Sequence, residues 1–366
     1  FRFHSPKGTT YYGELHIQGP HYIALFTSHP SESERQKFFR SFQFRPLRYS
    51  ADFTERTDTN LHYSMLSPMP INNNLSFLQM LGVREELKQT DFEEKIDNRI
   101  LTCEQTGEQL KVSVQRIHRL ASYESPEEFW KEHDPLAYFI NPFFSEATAR
   151  KDLILIKDSL LFSEVRDTSY FTEGREQWYT DTNSTRALRV KTIIENGALY
   201  TLIGLTDTLG YSSLFLDQAF ASFRPSPDTV LGHSILHRQA GRFFANLYSH
   251  DSSLVYESST SIGKVTFKES DAQGIQAIID HYTDPVFDRE NRLEMISTLA
   301  ESGGEDNIDY LARLYERYTD SSAYQFAILE TLIAFEDRDA LKTFKKLLLN
   351  ETPFSNNSYT SNSLIR

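Results

Sequence analysis

The sequence predicts an α+β protein: an antiparallel sheet with packed helices, followed by an α-helical solenoid. Three observations lead there. Apolar residues return every 33 positions at helical spacing between 271 and 349, a strand–turn–strand–helix pattern occurs in two places upstream, and short alternating apolar segments lie between those two places.

The first pattern occupies residues 1–45. Ile17-Gln-Gly19-Pro-His-Tyr22-Ile-Ala-Leu25 reads as a hairpin, and Phe39-Arg-Ser41-Phe42 closes a short helix, with Arg45-Pro46 after it. Glycine suits the turn because tight hairpins need positive φ, and the flanking apolar residues alternate as half-buried strands do. The helix is expected to lay Phe38, Phe39 and Phe42 on the sheet. Some 44 residues are too few for an independent core, so this segment is expected either to pair with the next domain or to be the remnant of one.

Residues 60–225 hold the second. Strands are expected at 61–66, 99–103, 110–120, 160–166, 177–180 and 186–194, and a helix over 126–133 opened by a Ser125 cap with Pro126 in its first turn. Ile194-Glu-Asn-Gly197-Ala-Leu-Tyr200-Thr-Leu-Ile203 then repeats the hairpin, and Phe220-Ala-Ser222-Phe223 with Arg224-Pro225 repeats the closing helix, which lays Phe215, Phe220 and Phe223 on the sheet. This internal duplication, with its Phe-x-Ser-Phe ending, resembles the end of bacterial PsbP-like or Mog1-like α/β domains. The resemblance implies a lipoprotein or interaction module and names no ligand.

Residues 233–349 are expected to be helical throughout. Ile235, Ala240, Phe243, Phe244 and Leu247 have helix spacing, while 254–262 reads equally as helix or strand. Beyond them Ile275, Ile278 and Tyr282 recur as Ile308, Leu311 and Tyr315, and again as Leu341, Phe344 and the 347–349 run. Leu293, Ile296, Thr298 and Leu299 recur as Phe326, Leu329, Thr331 and Leu332. Two helix types alternating in one period make an αα-hairpin repeat. The helices are placed near 271–283, 290–301, 306–318, 322–335 and 338–349. Ser302-Gly303-Gly304 ends one, Asp306 caps the next, and Thr319 to Ser322 separates the hairpins. The pattern resembles HEAT-like or armadillo-like repeats. Residues 350–366 lack periodicity and read as a polar tail.

Composition narrows the function. A formal charge of -13 disfavours nucleic acid, whose affinity comes from Lys and Arg displacing condensed counterions. No run approaches 18 consecutive apolar residues, so no transmembrane segment is expected. The start at Phe1-Arg2-Phe3-His4, without a Met or a basic and apolar leader, is the pattern of a mature form or an excised piece. Tracts such as Asn72-Asn73-Asn74 and Ser355 to Ser363 point to the periplasm or cell envelope of a bacterium, with the cytoplasm as the alternative. Cys103 is the single cysteine, which excludes an intrachain disulfide.

Catalytic patterns fail one by one. His233 and His237 stand at i, i+4 but lack the Glu after the first His and a third ligand. Asp181-Thr-Asn183-Ser-Thr185 opens like a calcium loop, yet Arg186 stands where Gly is needed and Thr192 where Glu is needed. Gly263-Lys264 is followed by Val265, so it is no phosphate loop. Glu93-Glu94 and Glu127-Glu128 read as solvated surface, because adjacent helical positions do not share a face. No residue is therefore assigned a catalytic, cofactor-binding or metal-binding role, and no cofactor or enzyme activity is expected.

What is expected is a non-catalytic protein-binding or scaffold module of a bacterial cell-envelope protein. Between 271 and 349 there are 16 acidic and 8 basic side chains, which would favour a basic protein segment as partner. Two alternatives stay open: the accessory C-terminal region of a larger enzyme, and a small-ligand carrier using aromatics around Trp130, Trp178 and Tyr200.

Overall fold

The computed structural model describes residues 1–18, 20–28, 31–71, 96–133, 153–166, 170–181, 185–195, 197–208, 213–226, 232–350 and 352–353. Glu93-Glu94, the Asn72 to Asn74 tract and nearly all of the polar tail lie outside them. The chain divides into two compact units. The first comprises Phe1–Ile117 and Trp130–Ser234, and the second His118–Phe129 and Ile235–Arg366. Antiparallel sheets fill the first, and most of the ten helices among the described residues belong to the second.

The first unit opens with β1 (Arg2–His4), β2 (Thr10–Gln18), β3 (His21–Thr27) and α1 (Glu32–Ser41). Strands β1-β2-β3 make one antiparallel sheet, in which Gln18 pairs with His21 across a two-residue loop. Next come β4 (Thr54–Asp58), β5 (Tyr63–Ser67), β6 (Ile96–Thr102), β7 (Gln109–Arg116), α2 (Pro126–Glu132), β8 (Leu153–Arg166), β9 (Tyr170–Asp181), β10 (Arg186–Glu195), β11 (Ala198–Asp207), α3 (Leu214–Ser222) and β12 (Arg224–Pro225). The main sheet runs β6-β7-β11-β10-β9-β8, and a small one β12-β5-β4.

Local chemistry sets these elements. The β10–β11 loop is also two residues long, and its Gly197 has φ +73 with its backbone against that of Gly232 and His233, so a Cβ there has neither a favourable φ nor room. Ser213 caps α3 by accepting from the Leu216 N–H at 2.9 Å, and Ser125 caps α2 by accepting from the Glu128 N–H at 3.3 Å. Helix α3 then covers one face of the main sheet with Phe215, Leu216, Ala219 and Phe220. There they join Leu110, Val112, Val114, Ile193, Tyr200 and Leu202, with Tyr63 and Met65 of β5, in a single core.

Several strands differ from expectation. β8 starts at Leu153, not 160, and β9 spans twelve residues where only 177–180 was expected. β9 reads as polar because both of its faces carry ion-paired charges: Glu173 pairs with Arg175 of the same strand at 2.6 Å, and Glu176 with Arg189 of β10 at 3.1 Å. β8 escapes the alternation test because register shifts at Leu155/Lys157 and Leu160/Phe162 break its period. β7 ends at Arg116, short of 120, and the next segment from His118 belongs to the second unit.

The second unit holds α4 (Ala240–Leu247), α5 (Ser252–Ser259), two short 3-10 turns (Ile262–Lys264 and Glu269–Asp271), α6 (Ala272–His281), α7 (Arg289–Ser302), α8 (Glu305–Arg317), α9 (Ser322–Ala334) and α10 (Arg338–Asn350). Each predicted helix of the array lies within two residues of its expected ends. α7 packs on α6 and α9, while α8 packs on α9 and α10, so the helices form two alternating rows. Residues 33 apart play matching parts. Ile275, Ile278, Ile308 and Leu311 are buried, and so are Ile296, Leu299, Leu329 and Leu332. Each contributes about 1.5–3 kcal/mol of transfer free energy. Thr298 and Thr331 are buried as well, their hydroxyls donating back to the carbonyls of Met295 (2.8 Å) and Ala327 (2.7 Å).

Three readings of this unit need correction. Leu341 is exposed and Leu349 more so; α10 instead buries Ala340 and Leu347, with Phe344 half-buried. Among the described residues no later helix covers its outer side, and the third ridge is therefore one-sided. Asp306 lies in the first turn of α8 and is not its cap: Gly303 ends α7 at φ +74, and Gly304 occupies the cap position. Ile235 is buried but precedes α4 in an irregular segment. Between 254 and 262 the backbone is helical up to Ser259.

Candidate interaction surfaces

On α7 the buried side is Met295, Ile296, Thr298 and Leu299, which leaves Glu290, Glu294, Ser297 and Glu301 exposed at spacings of four, three and four. Those spacings trace one stripe along a helix. α9, packed beside α7, exposes Glu330 and Ile333. Of the sixteen acidic side chains counted from 271 to 349, four lie on this row: Glu290, Glu294 and Glu301 of α7 and Glu330 of α9. Glu294 also accepts from the Gly263 N–H at 3.0 Å, which fixes that end of the stripe to the preceding turn.

A buried ion pair supports this unit from within. Nε and Nη2 of Arg119 donate to the two carboxylate oxygens of Glu257, whose side chain has no exposed surface and also accepts from Asn246 at 3.4 Å. His118 and Ser261 share a hydrogen bond at 3.1 Å nearby. These residues tie 118–129 to α5, and every polar group named has a partner inside the unit. Tyr282 donates its hydroxyl proton to the Leu247 carbonyl, and burial pushes its pKa up to about 12.

In the first unit exposed apolar residues collect on β8 and on the β1–β3 sheet. β8 exposes Ile154, Leu155, Ile156, Leu160, Leu161, Phe162 and Val165, although Lys157, Asp158, Glu164 and Arg166 interrupt them. The β1–β3 sheet exposes Phe1, Phe3, Leu15, Tyr22 and Phe26. None of these was singled out from sequence. The signals were present as the unbroken Leu153–Ile156 run and the dense Phe and Tyr of the first 44 residues. Neither says whether a residue is covered. Helix α1 buries no residue, and Phe38, expected on the sheet, is exposed.

The three aromatics of the carrier reading are not brought together. Strand register sets Trp178 opposite Arg189 and Arg189 opposite Gly204, on the same face as Tyr200. Trp130 instead lies under Arg175, whose guanidinium is 4.8 Å from the ring, and Arg175 is opposite Thr192 on the other face. Tyr200 is part of the core; its hydroxyl donates to the His62 carbonyl at 3.3 Å and burial raises its pKa. Trp178 donates to Glu176 at 3.0 Å. Burial alone would raise the Glu176 pKa, but hydrogen bonds from Trp178 and Arg189 outweigh it and hold the carboxyl below its usual range. Lys191, lowered by burial, donates to the Phe220 carbonyl at 2.6 Å, and Arg189 reaches Asp217 at 2.7 Å. This polar cluster fastens α3 to the sheet.

The remaining motifs lie where their chemistry is not assembled. His233 and His237 are in a non-helical segment, so their spacing does not put them on one helix face. Asp181 ends β9 and Arg186 opens β10, so the calcium-like stretch connects two strands. Gly263-Lys264 belongs to a 3-10 turn, and Glu128 accepts from the Glu124 N–H at 2.6 Å. Cys103 is a free, buried thiol. Among the described residues no group of three or more His, Cys, Asp or Glu side chains is placed to hold a metal ion, and no helix is long and apolar enough to cross a membrane.

No family model matches the chain, and no curated protein matches it in sequence. Among solved structures it is similar to the solution structure of cyanobacterial PsbP (CyanoP) from Synechocystis sp. PCC 6803. The identity is 16% and the TM-score 0.28, over 50% of this chain and 99% of that one.

Proposed function

We propose that the chain is a non-catalytic protein-binding or scaffold module of a bacterial cell-envelope protein. In this reading the helical unit is a HEAT-like array that receives a basic protein segment, and the first unit is a PsbP-like or Mog1-like module that works by contact. One observation carries the reading: the exposed row of Glu290, Glu294 and Glu301 on α7, beside α9, backed by a continuous apolar core. A stacked array leaves one row of helices open along its length, and a row of like charge raises the association rate and selects partners of opposite sign.

Fluorescence anisotropy with a labelled Lys- and Arg-rich helical peptide tests it. The intact chain should bind with an affinity that falls as salt is raised. Changing Glu290→Lys together with Glu301→Lys should weaken binding by about tenfold or more, the scale of one to two lost charge pairs. Equal binding by the charge-reversed protein would contradict the reading.

A further inference from the structure

We propose that β3 is a self-association edge: two copies of the chain pair their β3 strands antiparallel about a twofold axis through Ala24, joining two three-stranded sheets into one of six strands. The first ground is the state of the edges. Sheets present unpaired backbone groups at their margins, and proteins blunt them with charge, proline, bulges or brevity. Among the described residues, the marginal strands β4 (Thr-Glu-Arg-Thr-Asp), β6 (with Asp97 and Arg99), β8 (four charges and two register shifts) and β12 (Arg-Pro) all carry such guards, and β1 is three residues long with Arg2. β3, His21-Tyr-Ile-Ala-Leu-Phe-Thr27, has no acidic or basic residue other than His21, no proline, and an unshifted register with β2.

The second ground is what β3 would meet in its own copy. About a dyad at Ala24, Ile23 falls opposite Leu25, Tyr22 opposite Phe26 and His21 opposite Thr27. Residues facing each other across an antiparallel pair lie on the same side of a sheet, and in this register odd positions meet odd and even meet even, so no side chain changes face. Aliphatic meets aliphatic on the α1 side, where Ile23 and Leu25 are only half-buried. Aromatic meets aromatic on the other side, where Tyr22 is 62% and Phe26 47% exposed, even with Arg186 4.3 Å over the Tyr22 ring. Such cross-strand aliphatic and aromatic pairs stabilise a sheet, and a self-complementary patch closes a dimer without leaving a new edge of the same kind.

The third ground is the other ββα unit of this chain. There β11, the counterpart of β3, has a strand on its far side: β7 places Val114 opposite Tyr200 and Val112 opposite Leu202, and α3 lies buried over the result. Helix α1 has the same place over β2–β3, with His16 and Phe42 rings 4.8 Å apart and Arg35 3.8 Å over Tyr12, but among the described residues no strand pairs with β3 on its far side. A second β3 fills that side.

Sedimentation equilibrium of the full chain should give twice 42.4 kDa at tens of micromolar. Ala24→Lys, which sets two ammonium groups against each other on the dyad, should weaken dimerisation by about 100-fold while circular dichroism stays unchanged. Should that variant misfold, Ala24→Cys gives an independent readout. Facing Cα atoms are about 4.5–5.5 Å apart across a strand pair, within disulfide reach. Air oxidation should therefore link two chains through the introduced thiols, whereas Leu15→Cys on β2 should not link them. A monomer at these concentrations, a dimer indifferent to Ala24→Lys, or equal cross-linking at both positions would overturn the inference. None of these outcomes bears on the peptide-binding test of α7.

Discussion

Helices α1 and α3 are near-twins in local design and opposites in fate. Each follows a hairpin with a two-residue loop, each ends in Ser-Phe with an extended Phe at its cap, and in each the serine hydroxyl donates back to a carbonyl of the last turn: Ser41 to Phe38, Ser222 to Gln218. Yet α3 buries Phe215, Leu216, Ala219 and Phe220, and α1 buries nothing. The difference lies outside the ββα motif, in β5 and β7, which complete the core beneath α3. Local sequence decides that such a unit forms, and its neighbours decide what that unit is worth in stability.

The largest consequence falls on the matching phenylalanines. Phe220→Ala should cost about 3–5 kcal/mol in denaturant unfolding, the range for deleting a buried ring. Phe39→Ala, at the equivalent position of α1, should cost under about 1 kcal/mol in dilute solution, because that side chain is only half-buried and leaves no closed cavity. Equal costs would break the contrast.

The serines sharpen it at a smaller scale. Ser222 also accepts from the Leu66 N–H at 2.7 Å, so Ser222→Ala strands a backbone donor and should cost about 1–3 kcal/mol. Ser41 makes an exposed bond within the helix, and Ser41→Ala should shift unfolding by under about 0.5 kcal/mol. Thermal midpoints of the two variants measure the gap.

The smallest effect is one of pH. The depressed Glu176 pKa means that its pairing with Trp178 and Arg189 adds stability that is complete above the ordinary carboxylate pKa of 4.5 and is lost as pH falls through the lower folded value. Glu176→Gln should therefore flatten the acid limb of the sheet unit's stability below pH 4.5 and leave the β1–β3 sheet unaffected. An unchanged acid limb would show that other carboxylates dominate it.

What sequence could reveal follows the same division. The array helices were legible almost to the residue because their apolar stripe, the Ser302-Gly303-Gly304 stop and the 33-residue spacing all act within one or two turns. The ββα units were legible for the same reason. Leu341 was misplaced because burial of the last ridge depends on a following helix. β9 was mostly missed because Glu173, Arg175 and Glu176 look polar until Arg175 is set beside Glu173 and Arg189 of β10 beside Glu176. The acid surplus of 271–349 was countable, but only the fold shows that Glu290, Glu294 and Glu301 share one stripe. The exposure of β3 could not be foreseen, since His21 to Thr27 has the composition of a buried strand.

Residue-resolved hydrogen exchange on the dilute chain tests the contrast most directly. Backbone amides of β11 and α3 should exchange only through global unfolding, and those of β3 and α1 about 1000-fold faster through local opening. Matching protection in the two ββα units under those conditions would contradict the account.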